Sequence, residues 1–387
     1  MTSQGWILEA GDKRNPVLVV VRSQDGGRTW TDVTPIDAPS PLGDPFMHLD
    51  PRTGRLFTAE YKPDSCYQFS YSDDAGDHWT PVPEVCGLVD HENIFTAPPV
   101  SSATLGYPDV VYLCANTGGF GTLSTADQCM KSLNGGLSFA PTGDLPYSGG
   151  DSSSDGGTGQ GVGGPDGTIY LPKGWNGHPY LAISHDEGAT WSRVQVSSLT
   201  LASEYFDSVQ GYRYADQAGV AVDEEGNLYY DWVGPGGSLY LNVSRDGGAT
   251  WSSPLNITPP GVVATSLPAI EVGTPGRIAA AYMGSRVGSV FWDGFITVTT
   301  NALGRRPLFY ATRVNPPSDP LVYGSCGTTR CADAGDFFDV TIGPDGRPWA
   351  SFVDACSSTC AQERGPNDTS EGVVGSFMGG PTLRPAG

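Results

Sequence analysis

The chain has 387 residues and a formal charge of −21, with 42 Asp and Glu set against 21 Lys and Arg. That balance excludes nucleic acid and anionic membrane surfaces as partners, since both repel a strongly acidic protein. It also disfavours a polyanionic substrate unless basic side chains cluster locally. No run of about eighteen apolar residues occurs, so no membrane-spanning helix is predicted, and 53 Gly with 32 Pro suit many short strands and turns.

In chain order, a strand over Val17–Ser23 leads into the octapeptide Ser23–Trp30 and a short strand over Trp30–Val33. The same word, Ser-x-Asp-x-Gly-x-Thr-Trp, returns at Ser72–Trp79, Ser132–Phe139, Ser184–Trp191 and Ser244–Trp251. In the third copy Asn134, Ser138 and Phe139 replace Asp, Thr and Trp. The steps between Asp25, Asp74, Asn134, Asp186 and Asp246 are 49, 60, 52 and 60 residues. A step of that size is one four-stranded sheet with its turns, the period of a β-propeller. The Asp is expected to bind backbone N–H groups two residues on, Gly to supply a backbone angle other residues resist, and Trp to wedge between sheets. An apolar strand precedes the copies at Tyr180–Ile183 and Leu239–Val243, which puts the word in the hairpin between a blade's third and fourth strands.

A second repeat sets the register. Gly54, Gly167, Gly226, Gly276 and Gly346 each precede a hydrophobic strand, over Arg55–Tyr61, Thr168–Lys173, Asn227–Trp232, Arg277–Met283 and Arg347–Asp354. The strand before each turn is the innermost one, and Glu92–Pro99 followed by Val110–Ala115 is a variant of the same pair. Six inner strands result, so the fold class is an all-β propeller of four-stranded antiparallel blades, six by this count. Seven follow instead if Trp6–Glu9 pairs as an inner strand and Gly372–Met378 completes a separate last blade. Residues 1–387 are read as one domain, closed by amino-terminal outer strands (about 5–34) against a carboxy-terminal blade (about 336–381).

The octapeptide is the Asp-box signature, and on it the chain resembles the sialidase-like superfamily of bacterial-neuraminidase repeats. That superfamily holds glycoside hydrolases, polysaccharide lyases and non-enzymatic receptor domains, and the resemblance implies a propeller whose boxes lie on the face away from the active site. A sialidase of this fold carries an early Arg-Ile-Pro motif, three arginines, a Tyr nucleophile with its Glu, and an Asp acid. No Arg-Ile-Pro occurs here, Arg213, Arg286 and Arg330 fall in loops without matching that triad, and the adjacent Glu204 and Tyr205 do not make a nucleophile and base by adjacency. No catalytic residue is carried over, and a sialidase is not expected.

The eight Cys fall in sequence-close couples, Cys66 with Cys86, Cys114 with Cys129, Cys326 with Cys331 and Cys356 with Cys360. Sequence alone does not fix their pairing, but local disulfides in an exported protein are expected. The first residues lack a basic and apolar leader, so an export signal is taken as removed. Sequons stand at Asn242, Asn256 and Asn367. Three long irregular stretches, Pro146–Thr158, Ser197–Ala215 and Pro316–Gly335, connect blades, and such loops often carry function.

Chemistry is expected at the rim where inner strands begin. Asp44, Asp216 and Asp336 each lie ten residues before their turn Gly, and Asp90-His91-Glu92-Asn93 begins another blade. Carboxylates crowded at one opening acquire different proton affinities, as a glycosidase acid and base require. Asp44, Glu92, Asp216 and Asp336 are therefore the candidate catalytic groups. The same acids can instead serve turns or hold a structural calcium; no cofactor is required. Second strands return to that rim with Glu60, Lys173 and Tyr282 six residues past their turn Gly. Those three, with His48, His91, Trp175, His178, Glu204, Tyr205 and Arg213, are the candidate substrate contacts, because aromatic platforms and charged groups suit sugar rings. A buried salt bridge is the alternative for Lys173.

The expected function is a secreted, monomeric glycoside hydrolase acting on neutral or weakly charged glycan. A non-catalytic glycan- or protein-binding propeller is the alternative, and a polysaccharide lyase using His and Tyr the next.

Overall fold

The computed structural model describes residues 6–11, 18–35, 43–62, 66–117, 126–149, 158–202, 218–323, 338–354, 356 and 371–384. Two compact units make up the chain, one of residues 1–176 and 181–194, the other of residues 177–180 and 195–387. Among the described residues the secondary structure is strand, apart from a single 3₁₀ turn at Pro235–Gly237.

The chain-order elements form antiparallel sheets. The first holds β1 (Trp6–Gly11), β2 (Leu18–Ser23) and β3 (Thr31–Asp32). Next come β4 (Gly43–Leu49), β5 (Leu56–Lys62), β6 (Cys66–Ser72) and β7 (Thr80–Cys86), then β8 (Val89–Ala97), β9 (Val110–Asn116), β10 (Asp127–Ser132) and β11 (Ala140–Pro141). The sheet of β12 (Val162–Gly163), β13 (Ile169–Trp175), β14 (His178–Ser184) and β15 (Ser192–Gln195) follows. After it come β16 (Ala218–Val222), β17 (Leu228–Gly234), β18 (Ser238–Ser244) and β19 (Leu255–Asn256). The next sheet has five strands, β20 (Val262–Val272), β21 (Ile278–Arg286), β22 (Phe291–Thr299), β23 (Tyr310–Arg313) and β24 (Val322–Tyr323). The last holds β25 (Asp339–Ile342), β26 (Pro348–Asp354) and β27 (Glu371–Ser376).

Six sheets open on an inner strand, β4, β8, β12, β16, β20 and β25, and they are the blades of a six-bladed β-propeller. The amino-terminal segment forms a sheet of its own, in which β1 pairs with β2 over Trp6–Ser23 to Gly11–Leu18. The five turn glycines all take positive φ, from 76° to 86°, which only glycine adopts without strain.

The repeated octapeptide forms one turn, between third and fourth strands at Asp74, Asn134, Asp186 and Asp246 and between β2 and β3 of the three-stranded first sheet at Asp25. Its work is divided differently from the sequence expectation. The Ser hydroxyl takes the nearer N–H groups, as where Gly188 N donates to Ser184 Oγ at 2.8 Å. The Asp instead reaches four residues on, accepting from Thr190 N at 2.9 Å and Thr190 Oγ1 at 2.6 Å. In the second copy His78 Nδ1 takes the place of the Thr hydroxyl, 2.6 Å from Asp74 Oδ2. The Trp side chain does bridge sheets where Trp79 Nε1 donates to Val33 O at 2.6 Å.

Between the β4–β7 and β8–β11 sheets the core is apolar and aromatic, with Phe57, Tyr61, Tyr67, Phe69, Val111 and Leu113 buried. Two disulfides pin these sheets at directly opposed residues, Cys66–Cys86 across β6 and β7 and Cys114–Cys129 across β9 and β10. Cys356 is also disulfide-bonded, while Cys326, Cys331 and Cys360 lie outside the described residues. Of the sequons, Asn242 is fully buried and donates to Ser252 O at 2.8 Å, so its amide is no acceptor for a glycan, whereas Asn256 is exposed.

Candidate functional site

Two inner strands of the first unit break register where sequence reading placed the rim. In β4, Gly43 pairs with Tyr61 and Phe46 with Ala59, so Asp44 and Pro45 bulge opposite Glu60. Proline has no N–H to lose from the ladder, which makes this a favourable place for a bulge. In β8, Val89 pairs with Asn116 and Asn93 with Cys114, leaving three residues against one. His91 sits in that bulge at φ 54°, a left-handed angle that costs a non-glycine residue about 1–3 kcal/mol and recurs at functional sites. The second unit repeats the device in β20, with a register shift between Ser266 and Ala269 and Leu267 at φ 51°.

Glu60 is a strand-interior carboxyl, 2% exposed, and its Oε2 has no hydrogen-bond partner. Burial without a compensating cation pushes it up to about 8, so it keeps its proton at neutral pH. Asp231 on β17, in the second unit, is the same kind of group. It is fully buried and accepts from Gly219 N at 3.1 Å, and burial pushes it up to about 8. A Cβ at Gly219 would lie 2.5 Å from Asp231 Oδ1, so the bare backbone is what lets the carboxyl approach.

In the β8 bulge the His91 and Glu92 side chains are both buried. Glu92 is buried and its Oε2 accepts from Tyr67 O–H at 3.1 Å. Asn93 Oδ1 accepts from Gly161 N at 3.0 Å, tying the bulge to the chain before β12. Lys173 and Asp127 are both fully buried and share an ion pair of 2.7 Å. Burial pushes the Asp127 carboxyl up, against the opposing pull of Lys173, Thr158 and nearby His91. Thr158 in turn donates to Asn116 Oδ1 at 3.1 Å. The Tyr147 ring lies 5.7 Å from Lys173 Nζ and 5.8 Å from the Trp175 ring. Lys173, Asp127, Tyr147 and Trp175 thus form one polar and aromatic cluster, with His91 acting on Asp127, while Glu92 is tied to Tyr67.

The other candidates are dispersed. His48 stands at the turn end of β4, stacked on Phe57 with Nε2 3.1 Å from Thr96 Oγ1, and burial holds its imidazole neutral at about 4. His178 Nδ1 lies 3.2 Å from Leu199 O in the second unit. Tyr282 is fully buried, stacked on Phe295 and hydrogen-bonded to Thr297 Oγ1 at 2.8 Å, where a sugar has no access. Asp216, Asp336, Glu204, Tyr205, Arg213 and the side chain of Asp44 lie outside the described residues. Among the described residues the only metal-compatible trio is Cys66, Glu84 and Cys86, and its two sulfurs are already joined to each other.

Sequence reasoning passed over Asp127, Tyr67, Asp231 and the bulges. Lys173 was the visible half of its pair, and an Asp opening the third strand two residues before Cys129 was the signal for the other half. No helix among the described residues is long and apolar enough to cross a membrane.

No protein-family model matches the chain, and no curated protein sequence matches it. Solved structures do share the fold. An α-L-arabinanase of Penicillium chrysogenum, complexed with arabinobiose, is 15% identical at a TM-score of 0.54, covering 89% of this chain and 95% of its own. An α-L-arabinofuranosidase of Fusarium graminearum, in complex with an iminosugar inhibitor, is 13% identical at 0.52, covering 87% and 92%. A lectin from Burkholderia pseudomallei is 12% identical at 0.57, covering 90% and 89%.

Proposed function

We propose that the protein is a carbohydrate-active propeller, a secreted glycoside hydrolase in which Glu60 is the proton donor and Asp44 its charged partner. One observation carries the reading: a carboxyl that stays protonated at neutral pH stands opposite a bulge that contains a second acid. Glycoside hydrolysis needs two carboxyls of unequal proton affinity, the neutral one to protonate the leaving oxygen and the charged one to act as base or nucleophile. Asp216 and Asp336, at the same sequence offset as Asp44 from their turn Gly, are further rim acids on this reading. Glu92, His91, Asp127 and Lys173 hold the bulged strand end in place and are positioning residues. Hydrolases and a lectin of the same fold act on or bind sugars, which supports a glycan as ligand.

The test is a glycan-panel screen with product analysis on Glu60→Gln and Asp44→Asn. Each variant is expected to lose turnover by about 10²–10⁴-fold while retaining glycan binding, the range of general acid–base assistance. Products with saturated reducing ends are expected, whereas unsaturated, ultraviolet-absorbing ends would mark a lyase. Binding without turnover in the unaltered protein would make it a lectin-like propeller and overturn the hydrolase reading.

A further inference from the structure

The sheet of β20–β24 differs from the others in this protein. Its strands β20, β21 and β22 have 11, 9 and 9 residues, against 7 in β5, β6, β17 and β18, and β24 adds a fifth strand to the lengthened end. The register shows what that extension presents. Val262 pairs with Arg286, Ser285 with Trp292 and Phe291 with Tyr323, so Arg286 and Phe291 are the next opposed positions of the same hairpin. Opposed residues in an antiparallel sheet share a face. Arg286, Phe291 and Tyr323 therefore form one row across three strands, with the two rings 5.3 Å apart and tilted by 52°.

Charge is the second feature of this face. Asp293, two residues from Phe291 and on the same side of β22, is 2% exposed and accepts from Arg286 Nε at 3.1 Å, Arg313 at 3.5 Å and Asn315 Nδ2 at 2.8 Å. Two guanidinium groups thus meet one carboxylate, leaving one positive charge in surplus. Gly284 lies opposite Asp293, and a Cβ there would meet the Phe295 ring at 2.8 Å, so the glycine makes room for that ring beneath the row. The Arg286 side chain is 48% exposed, and its two terminal nitrogens donate to no group among the described residues. A guanidinium fixed through Nε, with its outer edge open to water, is arranged for a bidentate grip on a carboxylate. Half-buried aromatic rings beside it offer stacking to the apolar face of a sugar ring.

We infer that this row is a saccharide subsite for a uronic acid residue, with Arg286 on the sugar carboxylate and Phe291 and Tyr323 against its ring. This rests on the glycan reading above and narrows it to glycans that carry uronate. It also meets the condition set by the net charge of −21, because an acidic sugar can be held only where basic groups are concentrated.

Trigalacturonate and its methyl ester, titrated calorimetrically into the full chain, test the inference. The acid is expected to bind roughly tenfold more tightly than the ester, the worth of one charge-assisted contact. Arg286→Gln should abolish that preference and leave turnover of neutral glycans unchanged, since Arg313 and Asn315 still satisfy Asp293. Tyr323→Ala should weaken acid and ester alike. Equal binding of acid and ester by the unaltered protein, or a preference that survives in Arg286→Gln, would overturn the subsite. If hydrolysis of neutral glycans persists in that event, the subsite alone fails. If Arg286-dependent uronate binding is found without any turnover, the hydrolase reading fails and the subsite stands.

Discussion

Lys173→Met is expected to destabilise the protein by about 3–5 kcal/mol, because it strands the Asp127 carboxylate in a fully buried site. Both side chains are fully buried and their 2.7 Å contact is the only ion pair either makes among the described residues. Removing one partner leaves the other with its full desolvation cost, whereas replacing both by apolar groups removes that cost. Lys173→Met with Asp127→Leu should therefore recover most of the loss, and urea titration of the four proteins gives the coupling directly. Additive single and double changes would show that the pair contributes nothing as a pair. The same cycle separates a structural lysine from a substrate contact: a ligand-binding Lys173 would lose affinity in Lys173→Met without the rescue.

The second large effect is a fall in stability as pH rises. Glu60 and Asp231 hold their protons up to about 8 in the folded protein, against ordinary values of 4.5 and 3.8. Between those limits the folded chain binds a proton that the unfolded chain has released. Stability supplied by the neutral carboxyl is thus complete below the ordinary value and is lost as pH climbs to the folded value. Each group changes stability by roughly 1.4 kcal/mol per pH unit across that window. Thermal unfolding at pH 5 and pH 8 should show the unaltered protein losing several kcal/mol, and Glu60→Gln with Asp231→Asn losing much less. Parallel curves for the two proteins would mean that neither carboxyl is protonated in the fold.

The scaffold was legible because its signals are local and repeated. A Ser, an Asp or Asn and a Gly within five residues close the same turn in all five copies, and Gly54 or Gly226 marks the hairpin at which an inner strand ends. The site was less legible because it depends on departures from that repeat. Nothing in Asp44-Pro45 or His91-Glu92 states that the strand will bulge there, and the bulge decides whether a side chain meets solvent or the neighbouring sheet. Glu92 carries the signature of a rim acid, yet it turns inward to the Tyr67 hydroxyl. Tyr282 reads as an aromatic platform by its offset from Gly276, yet the same offset places it in the packed core against Phe295. Glu60 was recognisable as an anomaly, since an unpaired carboxyl in a strand interior is costly unless it has a use. That Asp44 falls in a bulge opposite it follows from pairing register, which sequence spacing does not encode.

The dependence of glycan hydrolysis on pH, measured for the unaltered protein and for Glu60→Gln, tests this account most directly. With Glu60 as the proton donor, turnover falls on the basic side through about 8, and Glu60→Gln removes that limb along with most of the rate. Hydrolysis by Glu60→Gln at an undiminished rate, with the basic limb in place, would contradict it.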